Sequence, residues 1–292
     1  MMAEVWRGPA FMMGAMVAYT LNDAFMKTLA GNVPLIQAIL MRGILSCMAL
    51  YVLARLYGGL TVPRLKQDRV LLCVRTLAEV SAAFFFVSSL FNMPLANVSA
   101  ILQALPLTVT LAGALFLKEP VGWRRAVAIG IGFYGVLLIV RPGPEGFNAY
   151  SIYAIMAVIS VTIRDLVVRR MSAEVSSTMA AFTAAIGVTC FAAVASLGTS
   201  WVAIGAAEIG ALGAATISLV AAYIWSVAAM RHGDVASVAP FRYTSLLAAL
   251  VLGFLFFGEF PDAITLLGAA IVIATGLFTL WRENRAVRQS VK

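Results

Sequence analysis

Gly113-Ala-Leu-Phe-Leu-Lys-Glu119 returns 140 residues later as Gly253-Phe-Leu-Phe-Phe-Gly-Glu259, with four of the seven positions identical. A second pair follows the same order at an offset of 142: Thr20-Leu-Asn-Asp23 with Lys27, and Thr162-Ile-Arg-Asp165 with Arg169. Two matches in register divide the chain into halves, residues 1–146 and 147–292, joined near 142–148. Each half carries five apolar runs of about 20 residues, the length of helix that crosses a bilayer. They fall at 9–29, 34–57, 70–91, 94–117 and 123–140, then at 149–168, 175–197, 206–230, 235–257 and 263–281. The runs are continuously apolar and do not alternate, which selects helices over a β-barrel. Five is odd, so the second half enters the membrane upside down relative to the first. The predicted fold is therefore an all-α integral membrane protein of ten transmembrane helices, arranged as a 5+5 inverted-topology repeat. Many secondary transporters share that architecture.

Composition agrees. The 292 residues are 62% apolar and 12% charged, against about 45–50% and about 25% in a soluble domain. A folded domain of this size cannot hide such an excess, so a soluble enzyme, a nucleic-acid binder and a disordered chain are excluded. The net charge of +8 is read as orientation, since Lys and Arg concentrate in cytoplasmic loops. With the N-terminus inside, fifteen Lys and Arg fall on the cytoplasmic side, against Lys27 and Arg141 opposite. Both termini are thus predicted to be cytoplasmic in a multi-pass protein of a bacterial-type inner membrane. Cys47, Cys73 and Cys190 are far apart and lie in apolar runs, which predicts buried free thiols. His232 is the only histidine, so metal chemistry is not expected. No phosphate-binding glycine loop is present, so neither a cofactor nor ATP hydrolysis is expected.

Longer stretches carry a resemblance. Met93-Pro-Leu-Ala-Asn-Val-Ser-Ala-Ile-Leu-Gln-Ala-Leu-Pro106 runs on to Leu117-Lys-Glu-Pro-Val-Gly-Trp-Arg-Arg125, then to Gly132-Phe-Tyr-Gly-Val-Leu-Leu-Ile-Val-Arg-Pro-Gly143. With the weaker copy at Phe256-Phe-Gly-Glu259 and Gly276, this resembles the EamA family of the drug/metabolite transporter superfamily over essentially the whole chain. The resemblance implies ten helices, a 5+5 inverted repeat and transport of small organic metabolites. Similar members export amino acids or import riboflavin or S-adenosylmethionine. The first copy has Lys118 where the second has Gly258, so the glycine is not itself required.

An ionisable group at mid-bilayer costs at least about 2.5–3.5 kcal/mol and tends to face a partner or a watery cavity. Asp23, Arg42, Arg75, Glu79, Arg164, Asp165 and Arg242 are such groups. Arg75 and Glu79 stand one helical turn apart and share a face. They either neutralise each other or bind a substrate anion and carry a proton. Asp23 binds a cationic group, relays a proton or braces a neighbouring helix, so Asp23 and Glu79 are the proton-coupling candidates. Arg164 and Asp165 read as a snorkelling structural pair, and Arg42, which matches a frequent arginine of the resembled family, as packing. Gln103 and Tyr243 occupy matched positions beside Pro106 and Pro240, where a helix can break and free carbonyls toward a cavity. Tyr19, Tyr223 and Trp225 supply aromatic walls. Glu119 and Glu259 stand at span ends, in capping or gating positions.

The expected substrate site is therefore Tyr19, Asp23, Arg75, Glu79, Gln103, Tyr223, Trp225, Arg242 and Tyr243. It suits a small amphipathic or zwitterionic metabolite, amino acid-, flavin- or nucleoside-like, moved by alternating access. The partners are that small molecule and the lipid bilayer. The runs Gly130-Ile-Gly132 and Gly268-Ala-Ala270 serve packing within one chain or a homodimer. The alternatives are a membrane-embedded enzyme, which would need paired catalytic groups at one depth, and a channel or structural subunit.

Overall fold

The computed structural model describes residues 6–57, 60, 63–119, 121–141, 148–172, 174–232 and 238–290. The joint at 142–147 lies outside them, as does Lys292. Every regular element among them is helical. The first half holds α1 (Arg7–Lys27), α2 (Leu35–Tyr57), α3 (Lys66–Asn92), α4 (Leu95–Leu102), α5 (Leu105–Phe116) and α6 (Trp123–Val140). The second holds α7 (Tyr150–Val168), α8 (Ser177–Ser196), α9 (Ala206–His232), a 3₁₀ segment (Ala239–Tyr243), α10 (Thr244–Phe257) and α11 (Ala263–Ser290). Nine spans among the described residues are long and apolar enough to cross a membrane, with α4–α5 counted as one and the 3₁₀ segment with α10 as another. The tenth predicted span, α1, is 21 residues long and carries Asn22, Asp23 and Lys27 in its last turns.

The outside of the bundle is apolar. On α2, Ile44, Met48, Val52 and Leu56 recur every four residues and are all exposed, a stripe that only lipid would cover favourably. Cys73 and Cys190 are exposed and Cys47 is half-buried, which corrects the expectation of buried thiols. In an apolar solvent a weakly polar thiol gains little from burial, so an apolar run does not say which of its faces turns inward.

α1 packs chiefly on α9, α3 on α7, α2 on α8, and α6 on α11. The last two helices cross on bare backbone: a β-carbon at Gly135 would lie 2.9 Å from the Gly268 carbonyl oxygen. Gly132 is equally tight against Leu107 and Thr275, whereas Gly130 faces open space. The small-residue runs therefore act inside the chain at Gly132 and Gly268. α1 and α2 are joined by a short turn yet do not pair along their lengths; each leans on a partner from the other half.

The two spans with mid-helix prolines break as predicted. α4 stops at Leu102 and α5 begins at Leu105, because Pro106 has no N–H to donate to the Leu102 carbonyl. Pro240 stands in the 3₁₀ segment that precedes α10. The repeated heptapeptide closes both spans in the same way. Lys118 and Gly258 adopt left-handed φ of 56° and 64°. Glu119 N–H then reaches the Gly113 carbonyl at 3.2 Å, and Glu259 N–H reaches the Gly253 carbonyl at 3.0 Å. This is the backbone closure of a left-handed helix terminus, and it sets each glutamate at a fixed place past its helix end.

Candidate functional site

Midway through the bundle, charges from several helices converge. Arg164 of α7 is the hub. Its Nη1 stands 3.3 Å from Glu79 Oε2 of α3, and its Nε 2.9 Å from Asp165 Oδ1. All three side chains are half-buried. Tyr19 of α1 lies within electrostatic reach of Arg242, Arg164, Tyr223 and Glu79, so α1, α3, α7, α9 and the 3₁₀ segment all present groups to one region. Arg75 joins them, close to Glu79, Arg164, Asp165 and Tyr223.

Glu79 does not pair with Arg75. Its ion pair is with Arg164, and Arg75 instead donates from Nη1 to the Ala180 carbonyl of α8 at 2.6 Å. A shared face on one helix brings two side chains near each other, but a better-placed guanidinium on the facing helix takes the carboxylate. The expected Arg164–Asp165 pair is present, and Arg164 also takes Glu79, which makes it a further candidate that the sequence reading did not include. The signal was a charge inside the apolar run, one turn before the helix ends at Val168. Arg242 is exposed at the start of the broken ninth span. Its guanidinium has no carboxylate within ion-pair distance among the described residues.

Gln103 and the ninth span meet directly: its Nε2 donates to Ser245 Oγ at 2.7 Å. Thr20 donates to the Met16 carbonyl at 2.9 Å and approaches the Ser245 carbonyl at 3.3 Å. The breaks in the fourth and ninth spans therefore sit face to face against α1. Tyr243 is buried, with its hydroxyl unpartnered and pressed onto Gly276. Trp225 lies against α1, where a β-carbon at Gly14 would come 3.0 Å from its ring. It stands at the α1–α9 contact.

Two further charges, Asp23 and Arg42, lie on α1 and α2. Asp23 stands one turn from Tyr19 toward the Lys27 end of α1, and its Oδ1 accepts from Asn22 Nδ2 at 2.8 Å. Arg42 of α2 senses both Asp23 and Glu79. No ion pair within 4.0 Å joins Asp23 to Arg42.

The ends of the bundle carry their own pairs. At one, Lys27 Nζ binds Glu259 Oε1 at 2.8 Å and the Met93 carbonyl, and Glu259 Oε2 accepts from Leu95 N–H at 3.1 Å. At the other, Arg169 Nη1 meets Glu119 Oε1 at 3.0 Å, and Asp68 accepts from Ser172 Oγ at 2.6 Å. No group of three or more metal-ligating side chains occurs among the described residues.

Comparison with known proteins gives a consistent result. The model of the EamA-like transporter family matches twice, over residues 6–141 and 148–281. The S-adenosylmethionine uptake transporter of Rickettsia conorii is 26% identical over 278 residues, covering 94% of this chain and 92% of the relative. The riboflavin transporter of Vibrio cholerae is 28% identical over 218 residues, 73% of this chain and 72% of the relative. The pseudopaline exporter CntI of Pseudomonas aeruginosa is 25% identical over 275 residues, 89% and 90%. A solved crystal structure aligns with a TM-score of 0.65 at 17% identity, covering 97% of this chain and 99% of that one.

Proposed function

The chain belongs to the EamA-like transporter family, and on that premise we propose that it carries a small zwitterionic organic metabolite across the membrane by alternating access. The observation that carries this reading is the charged centre. Glu79, Arg164 and Asp165 neutralise one another in part, while Arg242, itself exposed, stands within electrostatic reach of Tyr19 with no carboxylate in ion-pair distance among the described residues. Buried charges are retained where they are paired or where a ligand completes them. A centre with a spare guanidinium, flanked by tyrosines, has room for a substrate anion next to a flat or aliphatic body.

The packing supports two inverted halves, 1–146 and 147–292. Exchanging the first span for the sixth, the second for the seventh, and so on, turns the α1–α9 contact into the α7–α3 contact. It turns the α1–α10 contact into the α7–α5 contact, and maps α2–α8 and α6–α11 onto themselves; all of these occur. Positively charged segments place both termini in the cytoplasm, which puts the Lys27–Glu259 end outside. With that end tied and the Arg169–Glu119 end half-exposed, the conformation is read as inward-facing. Asp23 and Glu79 are the groups that would couple substrate movement to protons.

Transport in proteoliposomes tests the reading. Saturable uptake of a labelled substrate, drawn from S-adenosylmethionine, amino acids and riboflavin, is expected. Arg164→Gln and Glu79→Gln are expected to abolish it while the protein stays folded and inserted. Non-saturable flux would make the protein a channel, and chemical conversion of the compound would make it an enzyme. Uptake indifferent to collapse of the proton gradient would remove Asp23 and Glu79 from coupling.

A further inference from the structure

We infer that the two halves turn about a fixed line through three mid-span contacts: Cys47 with Thr189, Gln103 with Ser245, and Gly132 with Thr275. The inference rests on the transporter reading and adds to it which contacts last through the cycle and which change.

Symmetry supplies the reason. When each half takes up the other's conformation, a contact between one residue of each half passes to their repeat mates. A contact between two mates passes to itself. It is therefore present in both states and lies on the pseudo-two-fold axis, which for inverted repeats runs in the membrane plane. The halves match at offsets of 140 and 142. Cys47 Sγ lies 3.4 Å from Thr189 Oγ1, 142 residues on. Gln103 Nε2 donates to Ser245 Oγ at 2.7 Å, again 142 residues on. A β-carbon at Gly132 would stand 2.8 Å from Thr275 Oγ1, 143 residues on. These contacts join α2 to α8, the α4–α5 break to α10, and α6 to α11, and each falls toward the middle of its spans. An in-plane axis must cut the spans there. Glycine keeps two of the contacts close. Gly43 stands one turn from Cys47, and a β-carbon on it would come 2.5 Å from Thr189 Oγ1. Gly132 serves Thr275 in the same way, because small residues let helix backbones approach.

Away from the line the two ends differ. Toward the Lys27–Glu259 end, α6 and α11 touch on bare backbone at Gly135 and Gly268, and Arg141 pairs with Asp262. Toward the Arg169–Glu119 end they part around a groove of about 370 Å³, with Trp123, Val127 and Ile131 on one wall and Ala274 and Phe278 on the other. An offset of 140 carries Gly135 to Thr275 and Gly268 to Ala128, and both of these line the groove. One side of the Gly132–Thr275 contact is shut while its image is open, as in a rocker resting at one end of its travel.

The test locks the chain on and off the line. The full chain is reconstituted in proteoliposomes with Cys73→Ser and Cys190→Ser, so that no other thiol reacts. The first disulfide joins the native Cys47 to Thr189→Cys. The second, with Cys47→Ser, joins Leu95→Cys to Gly253→Cys beside the Lys27–Glu259 pair. A β-carbon at Gly253 would stand 3.9 Å from that of Leu95, inside the disulfide range. Arg141→Cys/Asp262→Cys, bridged by a bifunctional thiol reagent, ties the same end through α6 and α11 and gives an independent second lock. Uptake of labelled S-adenosylmethionine, riboflavin and amino acids is compared before and after cross-linking of one preparation, so each variant is its own control for folding. The lock on the line should change the rate by less than about twofold, and the locks off it should lower it about tenfold or more. Arrest by the lock on the line would overturn the inference and leave the transporter standing. So would a Cys47 and Thr189→Cys pair that stays reduced under oxidation, since a lasting contact must react. Free transport with the end locked would show that the ends need not part, and would overturn it as well. No uptake of any probe by the unsubstituted chain would remove the transporter reading and the line with it.

Discussion

Lys27 meets Glu259 at one end of the bundle, and Arg169 meets Glu119 at the other. The four residues occupy matched places in the repeat, at offsets of 142 and 140, and both glutamates follow a left-handed residue that ends a broken span. The chemistry is the same at both ends, but the surroundings are not. Lys27 is 8% and Glu259 28% exposed, whereas Arg169 and Glu119 are 41% and 44% exposed. Lys27 and Glu259 also hold the Met93 carbonyl and the Leu95 N–H, which ties three spans together at once. A half-exposed pair is worth about 0–1 kcal/mol, while a buried pair that loses one partner costs several times more. Matched sequence therefore yields one firm latch and one loose one. The proposed alternating access requires that inequality, with the two ends exchanging roles in each cycle.

Six variants would break or sharpen the contrast. Lys27→Ala strands Glu259 and should lower stability by about 3 kcal/mol in thermal unfolding of the purified protein. The exchange Lys27→Glu/Glu259→Lys should recover more than half of that loss. If Lys27→Ala unfolds like the wild type, the two ends are energetically alike.

The left-handed residues give the next effect. Gly258→Lys should cost about 1 kcal/mol and Lys118→Gly should gain a similar amount, because a side chain in that conformation is strained. Of similar size is the loss of the helix cap beside the firm latch. Asp262 Oδ1 accepts from Thr265 N–H at 2.8 Å and also pairs with Arg141. The Thr265 N–H first, and Arg141 after it, hold the Asp262 carboxyl below the usual carboxylate range. A depressed value favours the folded state above the unfolded pKa of about 4, and that benefit disappears as pH falls through the folded value. Asp262→Ala should therefore cost about 1 kcal/mol at pH 7, with the gap to wild type closing in melts below about pH 4.

The smallest effect belongs to the loose latch. Arg169→Ala should change stability by less than about 1 kcal/mol while altering the transport rate. A large loss of stability would show that this end is as firmly tied as the other.

Much of the fold and some of the site could be read from the chain. The prolines at 106 and 240 predicted both broken spans, since a missing N–H is a local fact. Asp23, Glu79, Arg75, Arg242 and Tyr19 stand out as candidates because ionisable and amphipathic groups inside apolar runs need a reason to be there. Their partners were not recognisable. Arg75 and Glu79 share a face by spacing, yet Glu79 is taken by Arg164, 85 residues away. Arg42 reads as packing because its own helix is apolar around it, while the charges near it, Asp23 and Glu79, come from other helices.

The sequence by itself determined that the chain is a helical membrane protein, through runs long enough to span and too apolar to dissolve. It also determined where two of the spans break, and which residues are too polar to face lipid. These follow from composition, local steric rules and the cost of charge in hydrocarbon, none of which depends on distant contacts. Only the tertiary structure decided which acid meets which base and which end is tied. Those outcomes depend on gaps of a few ångströms between helices from opposite halves, and such gaps are set by the packing of the whole bundle.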